Sequence, residues 1–186
     1  EGIKKIEKAI STYPQLKEAY IVCGEALLKK GSSTEALAMY DSVLKLDPKY
    51  AAAYHGKGLV YMELNKLKQS IDEFTLAIKH NPEYIEAYIG RATAYQNRQT
   101  EEDMENAIKD HEKSDKLKKL FVERGDEFLR KKDYSNALVE YEKVIAADGK
   151  YALALYGKGK VYLMQNKPDF AITQFEIGRA SCRERV

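Results

Sequence analysis

The stretch YHGKGLVY, from Tyr54 to Tyr61, sets a lysine between two glycines, a combination that occurs where proteins bind phosphate. A near copy, LYGKGKVY, runs from Leu155 to Tyr162. A phosphate-binding loop follows a β-strand and closes with Gly-Lys-Ser or Gly-Lys-Thr, and both stretches lack that ending. The motif therefore does not predict a phosphate site, and its duplication indicates an internal repeat.

The other residues that could do chemistry do not combine into a site. The histidines His55, His80 and His111 form no close helical pair with one another or with a cysteine cluster, so no metal site is predicted. No serine, histidine and acid recur in an arrangement typical of nucleophilic catalysis. Cys23 falls at a core-facing position, where a cysteine behaves as a small hydrophobe. We predict no catalytic residue, no cofactor and no enzyme activity for this stretch of chain.

The repeat has a period of 34 residues, because Gly58 follows Gly24 and Gly159 follows Gly125 at that distance. Five units result, and they begin at Lys17, Ala51, Ile85, Lys118 and Ala152. Position four of each unit is aromatic or large, position eight is glycine or alanine, and position eleven is large. Further along each unit a small residue is followed, four positions later, by an aromatic residue in most units.

The large residues recur at spacings of three, four and seven, which places them on one face of a helix. Each unit is therefore predicted to contain two amphipathic helices. A tiny residue at position eight lets two helix backbones approach and receive an aromatic ring. Asp47-Pro48 and Asn81-Pro82 each close a unit, because proline lacks an amide hydrogen and disfavours helix in the residue before it.

These positions resemble the tetratricopeptide repeat family, whose 34-residue helix-turn-helix unit carries aromatic, Leu-Gly, Tyr, Ala, Phe and Pro residues at set places. The resemblance covers Lys17 to Phe175 and implies an all-α fold, a right-handed superhelical solenoid of antiparallel helix pairs. It predicts repeats at 17–50, 51–84, 85–117, 118–151 and 152–175, after a second helix of a truncated preceding repeat at 1–16. The third repeat is irregular, since Ala107 and His111 fit only if three residues are inserted after Gln99, and the connection after it lacks proline.

Both ends depart from the repeat pattern. Ile6, Ala9 and Pro14 fit the second helix of an earlier repeat, so we expect the chain to begin inside a unit. Residues 176–186, EIGRASCRERV, resemble a translated sequencing-library adapter, and we interpret them as a non-native tail; the alternative is a genuine basic tail. Because incomplete terminal repeats would expose apolar surface, the isolated chain is expected to self-associate through its truncated ends.

The formal net charge is +2, and it falls to +1 without the three arginines and two glutamates of residues 176–186. This near-neutral balance argues against nucleic-acid binding, which normally requires a basic surface. No apolar run reaches the length of a membrane span, and no signal peptide is visible. A cytoplasmic or nuclear location is the default expectation, although a truncated start could have lost a signal.

In tetratricopeptide arrays the first helices line a concave groove that generally holds peptide segments of partner proteins, and the resemblance places positions two, five, nine and twelve on it. The candidate groove residues at positions five, nine and twelve are Ile21, Glu25, Leu28, His55, Leu59, Met62, Ile89, Thr93, Gln96, Val122, Asp126, Leu129, Tyr156, Lys160 and Leu163. Position two carries Glu18, Ala52, Glu86, Lys119 and Leu153. This mainly apolar floor favours a peptide or helix with apolar anchors, although part of it could equally be core between repeats.

One variant of the family holds the acidic tail of heat-shock chaperones in a two-carboxylate clamp, and this sequence does not support that function. Ile21 and Glu25 occupy the places of the first Lys and Asn of the clamp, and Gly56 occupies the place of the next Asn. Glu86 and Gly90 occupy the places of the last Lys and Arg. Burying an acidic tail against these glutamates would add repulsion without a compensating cation.

We predict a scaffold or adaptor module that binds protein partners. The alternative is the substrate-recruiting arm of a larger enzyme, such as a glycosyltransferase or phosphatase, whose catalytic domain lies outside this sequence. The full open reading frame would distinguish the two, because a catalytic domain would show its own motifs. RNA binding by helical repeats is disfavoured, since it requires regularly placed base-reading residues in basic surroundings.

Overall fold

The part of the protein that the structure describes, residues 6, 8 and 10–183 of a computed structural model, is built from helices and contains no strand. Residues 6, 8 and 10–12 are helical. The helices that follow are α1 (Lys17–Lys29), α2 (Ser33–Leu46), α3 (Ala51–Glu63), α4 (Leu67–His80), α5 (Ile85–Arg98), α6 (Glu101–Arg130), α7 (Tyr134–Ala147), α8 (Ala152–Met164) and α9 (Pro168–Arg183). The predicted all-α fold is confirmed. The expectations for Ala9 and for residues 184–186 lie outside the described residues.

The chain divides into two compact units, Glu1–Glu112 and Lys113–Val186, called unit 1 and unit 2 below. In unit 1, α1 packs against α2, α2 against α3, α3 against α4 and α4 against α5. The first helices also meet one another, because α3 contacts both α1 and α5. In unit 2, α7 packs against α8 and α8 against α9. Within each unit, helix pairs thus stack in chain order, as repeat proteins do.

An aromatic ring from each of several second helices is held between two glycines of first helices. The Tyr40 ring, which is 0% exposed, lies between Gly24 of α1 and Gly56 of α3. A Cβ atom added at these glycines would lie 2.7 Å and 2.4 Å, respectively, from Cε1 of the ring. The same arrangement holds Phe74 between Gly58 and Gly90, and Tyr141 between Gly125 and Gly157. The close contact predicted at position eight is confirmed, and a second glycine at position six completes it.

The turns between repeats are closed by an Asx residue. Asp47 ends α2 in an extended conformation, with φ −146° and ψ 96°, and its Oδ1 accepts a hydrogen bond from the amide two residues on at 3.0 Å. The Pro48 carbonyl then accepts a hydrogen bond from the Tyr54 hydroxyl at 2.9 Å, which ties position four of the next repeat to the turn. Asn81 and Tyr88 make the corresponding bonds in the following turn.

One turn between repeats is absent. Around residues 114–117, where the repeat layout places it, the chain continues as α6, a helix of 30 residues. Ser114 stands in the place of the Asx residue Asp47, and Asp115 stands in the place of Pro48. Ser114 has no carboxylate or amide oxygen to close an Asx turn, and no proline follows it, so the helix continues. α6 therefore joins the second helix of the third predicted repeat to the first helix of the fourth.

The three inserted residues of the third repeat form an additional helical turn. α6 begins six residues before Ala107, whereas α4 begins three residues before the corresponding Ser70. The new first turn is capped, because Thr100 Oγ1 accepts a hydrogen bond from the Asp103 amide at 3.2 Å. The Arg98 guanidinium binds the Asp103 carboxylate and holds its pKa below the usual range.

A basic residue at position seven of a first helix links it to second helices. Lys57, the lysine of the Gly-Lys-Gly motif, pairs with Asp41 of α2 at 3.1 Å and with Glu73 of α4 at 3.2 Å. Lys158, at the same position in unit 2, pairs with Glu142 of α7 at 3.0 Å. The lysine of the Gly-Lys-Gly motif therefore forms ion pairs with carboxylates of neighbouring helices.

Arg91 is the position-seven residue of the third repeat, and it makes a stronger set of bonds. Its Nε and one terminal nitrogen donate to the two carboxylate oxygens of Asp110 in α6, at 2.8 Å and 2.7 Å. The other terminal nitrogen donates to the Thr75 hydroxyl of α4 at 3.0 Å. Position seven carries a cation in the second to fifth repeats, a recurrence that the sequence alone could have revealed.

α9 continues past Phe175 and ends at Arg183. Ser181 in this extension is 3% exposed, and a Cβ added at Gly178 would make an ordinary contact of 3.6 Å with Leu155. The interpretation of residues 176–186 as a non-native tail concerns their origin and stays a prediction.

Candidate peptide-binding surfaces

The predicted groove residues on α1, α3 and α5 are called the unit 1 face. They are Ile21, Glu25, Leu28, His55, Leu59, Met62, Ile89, Thr93 and Gln96. Glu25 and Gln96 are exposed, and the other members are partly buried. The aliphatic members on α1 pack against the core cluster around Tyr40, and those on α3 pack against the cluster around Phe74. The apolar side chains of this face are therefore partly exposed and also pack against the core.

The imidazole of His55 lies among aromatic rings in the unit 1 face. Its centroid is 5.5 Å from the ring of Phe74 and 5.2 Å from the ring of Tyr84. Removal of water from around the imidazole disfavours its charged form and lowers the pKa of His55 to about 4. His55 is therefore neutral at pH 7 and adds ring contact to this face without adding charge.

We expect His55 to make the protein less stable as the pH falls below about 6.5, the pKa of a histidine in an unfolded chain. Below that pH the unfolded state binds a proton that the folded state does not bind until about pH 4. The free energy of unfolding should therefore drop by roughly 2 kcal/mol between about pH 7 and about pH 5. Urea unfolding at both pH values measures this drop, and His55→Phe should remove most of it. An equal drop in the variant would contradict the assignment.

Three carboxylates border the unit 1 face, and none of them forms an ion pair within the part of the chain that the structure describes. Glu25 belongs to the face, and Glu18 and Glu86 occupy position two of α1 and α5. The Tyr50 hydroxyl donates a hydrogen bond to Glu18 at 3.3 Å. Burial raises the pKa of Glu86, and burial together with the negative charges of Glu86 and Glu25 raises the pKa of Tyr84. The charge of this face is therefore acidic.

Unit 2 contains a cleft of about 510 Å³, called the unit 2 cleft, which includes three of the predicted groove residues. It is lined by Asp126, Leu129 and Lys160 together with Arg130, Lys132, Tyr134 and Met164. The Asp126 carboxylate accepts a hydrogen bond from the Tyr141 hydroxyl at 2.8 Å, and the Lys160 ammonium lies 3.9 Å from the same oxygen. The other four lining residues come just after position twelve: Arg130 and Met164 end α6 and α8, Lys132 lies in the turn after α6, and Tyr134 begins α7.

Large apolar side chains of α8 are exposed to solvent. Tyr156 is 55% exposed, and the Lys160 ammonium lies 4.9 Å from the centroid of its ring. Leu163 is 50% exposed, and Leu153 at position two is 59% exposed. Val122, in contrast, is 9% exposed and belongs to the core. Unit 2 therefore presents apolar side chains to solvent at several of the predicted groove positions.

Among the residues that the structure describes, no group of three or more histidine, cysteine, aspartate or glutamate side chains could hold a metal ion. Within the same residues, no helix combines the length and the apolar character that crossing a membrane would require.

A family model described as TPR repeat matches residues 24–65, and two models described as Tetratricopeptide repeat match residues 51–84 and 122–180. No curated protein matches.

The fold is similar to that of several solved proteins. The structure of YrrB, described as a TPR protein with an unusual peptide-binding site, is 23% identical and superposes with a TM-score of 0.54 over 95% of this chain and 91% of that one. A thermophilic TPR protein of Thermus thermophilus is 17% identical, with a TM-score of 0.50 over 89% of this chain and 91% of that one. The Cut9–Hcn1 hetero-tetramer of the APC/C is 16% identical, with a TM-score of 0.54 over 95% of this chain and 35% of that one.

Proposed function

Because this chain belongs to the tetratricopeptide repeat family and is a protein-interaction scaffold, we propose that it binds a peptide or helical segment of a partner on the groove positions of its first helices. The description of YrrB as having a peptide-binding site is in line with this proposal, although it is a statement about that protein. The chemistry of the binding comes from the residues of this chain.

The observation that carries the proposal is the exposure of large apolar side chains on α8, where Lys160 of the unit 2 cleft contacts the ring of Tyr156. Leaving Tyr156 and Leu163 half exposed forgoes the favourable transfer of apolar surface out of water, which is worth roughly 2 kcal/mol for a large side chain. Large apolar side chains left exposed close to a cleft are typical of an interaction site. A partner segment that buries these side chains recovers that free energy.

The polar lining of the unit 2 cleft would determine how the partner segment is oriented. Arg130 and Lys132 lie at its edge, while the Lys160 ammonium is shared between Asp126 and the ring of Tyr156. Interfaces commonly combine a few buried aromatic or aliphatic anchors with a polar rim of this kind. The anchors supply most of the affinity, and the rim sets the register of the bound segment.

The experiment uses a labelled peptide selected from a random phage-displayed library on the wild-type chain. The double variant Leu129→Glu/Tyr156→Glu should bind this peptide at least tenfold more weakly in fluorescence anisotropy, because each substitution puts a charged side chain in the place of an apolar one. Circular dichroism should show unchanged helicity in the variant.

The control is Val139→Glu, a change of an equally exposed residue on the second helix α7, where 49% of the side chain is accessible. It should leave the affinity for the peptide unchanged. Undiminished binding by the Leu129→Glu/Tyr156→Glu variant would contradict the assignment of the groove.

A further inference from the structure

Both units have a tyrosine on the second helix and a carboxylate at position nine, but among the described residues only the carboxylate of unit 2 has a cation beside it. In unit 2 the Tyr141 hydroxyl donates to Asp126 Oδ1 at 2.8 Å, and the Lys160 ammonium lies 3.9 Å from that oxygen. Tyr141 is held between Gly125 and Gly157, so its hydroxyl is directed towards position nine, where Asp126 lies. The carboxylate therefore has both a hydroxyl donor and a cation from its own chain.

Unit 1 has a similar arrangement with two residue differences. Tyr40 is held between Gly24 and Gly56 in the same way, and Glu25 stands in the place of Asp126. Leu59 stands in the place of Lys160, so the neighbouring helix provides a hydrocarbon chain where unit 2 has an ammonium group.

The Tyr40 hydroxyl differs from that of Tyr141 because it lacks a hydrogen-bond partner within the part of the chain that the structure describes. The side chain is 0% exposed, and its oxygen has no hydrogen-bond partner among the described residues. Burial, with the charge of Glu25 as a second cause, raises the pKa of Tyr40 to about 12. Buried hydroxyls are almost always hydrogen-bonded, and leaving one without a partner is costly. The charge of Glu25 acts on this hydroxyl, but the two groups do not form the hydrogen bond that joins Tyr141 to Asp126.

The groove positions of unit 1 carry carboxylates and no cation. Glu18 lies at position two of α1, the helix of Glu25, Glu86 lies at position two of α5, and no groove position of unit 1 carries a lysine or arginine. The nearby Lys17 is engaged, because its ammonium lies 2.8 Å from Asp47 and 4.7 Å from the centroid of the Tyr50 ring.

We propose that the unit 1 face binds a lysine or arginine side chain of the partner segment, whose cation takes the place beside Glu25 that Lys160 fills beside Asp126. This inference rests on the proposed function and adds the chemistry of the partner to it. The aliphatic stem of the bound side chain would pack along Leu59, and its cation would donate to Glu25 between the carboxylates of Glu18 and Glu86. A tyrosine ring such as that of Tyr84 gives a cation a further favourable contact. The partner is therefore a basic protein segment, since a nucleic acid would be repelled.

The probe is a fluorescein-labelled hexalysine peptide, added to the full chain at about 0.15 M salt, where exposed charges are screened beyond about 8 Å. The double variant Glu25→Gln/Glu86→Gln should bind it at least tenfold more weakly. The matched control is Glu105→Gln/Glu127→Gln, which removes the same charge from exposed carboxylates of α6 that lie outside the groove positions. The control should keep the wild-type affinity, and acetylated hexalysine should not bind.

A third variant, Leu59→Lys, places the missing ammonium within the chain itself. It should compete with the peptide and weaken hexalysine binding to the same extent, while circular dichroism confirms an unchanged fold. Equal weakening in the matched control, full binding by Leu59→Lys, or no binding by the wild type would overturn the proposal. If the library-selected peptide still depends on Leu129 and Tyr156 in that case, the proposed function stands without this inference. If neither peptide binds, both fail.

Discussion

Gly56→Ala is expected to lower the free energy of unfolding by about 3 kcal/mol, at the upper end of the usual cost of overpacking a core. The added Cβ would lie 2.4 Å from Cε1 of Tyr40, a ring that is 0% exposed. The ring has no space to move into, because Gly24 of α1 also lies against its Cε1 and Cζ atoms. Elsewhere in a helix, alanine is more favourable than glycine by about 1 kcal/mol, so the expected sign is the reverse of the ordinary one.

The matched control for this change is Gly149→Ala, in the turn before α8. There the added Cβ would meet only the Ile145 carbonyl oxygen at 3.7 Å, an ordinary contact. Its stability should be unchanged or slightly raised. Midpoints of urea unfolding followed by circular dichroism compare the variants without assuming a single transition, which repeat proteins do not always show. Equal midpoints for the two alanine variants would show that the ring is not held between the glycines.

Arg91→Leu is also expected to cost about 3 kcal/mol, because it removes the partner of a buried carboxylate. Asp110 is 5% exposed, and both of its oxygens accept hydrogen bonds from Arg91. Replacing both members, in Arg91→Leu/Asp110→Leu, should restore most of the loss, since a buried ion pair can be exchanged for apolar side chains at little net cost.

The control pair for this cycle is Glu105 and Lys109, which are joined at 2.7 Å but are more than half exposed. Lys109→Leu should produce no measurable loss of stability, because exposed ion pairs contribute little. The unfolding midpoints of these three variants and the wild type test the prediction. A double variant as unstable as Arg91→Leu alone would indicate that Arg91 acts through packing and not through the carboxylate.

Much of the fold could be predicted because the repeat imposes the same demand at the same position in each unit. A small residue at position eight and an aromatic residue on the second helix had to meet, and Gly58 and Phe74 do so. The continuous helix α6 was harder to foresee, because it results from what is missing: Ser114 and Asp115 give the chain no reason to turn. A helix stop needs a positive signal, whereas continuation needs none.

The candidate surfaces could be predicted only in part. Positions five, nine and twelve do include residues of the unit 2 cleft, such as Leu129 and Lys160. The pattern alone could not show that Val122 would be 9% exposed and Tyr156 55% exposed, because both stand at position five. That difference depends on what the neighbouring helices place over each side chain, which a one-dimensional pattern does not contain. Glu25 and Asp126 likewise looked equivalent in the sequence, and only the structure shows that Asp126 accepts a hydrogen bond from Tyr141 and lies near Lys160.

The pairing of one ring with two glycines bears on how such a chain can change length during evolution. If residues 51–84 were excised as a block, Gly90 would arrive at the edge of Tyr40 where Gly56 now lies, and Arg91 would face Asp41 in the place of Lys57. The new junction would have the shape of the old one. Gene duplication or unequal crossing-over in steps of a whole repeat therefore preserves the joint, whereas an insertion in any other step would misalign it.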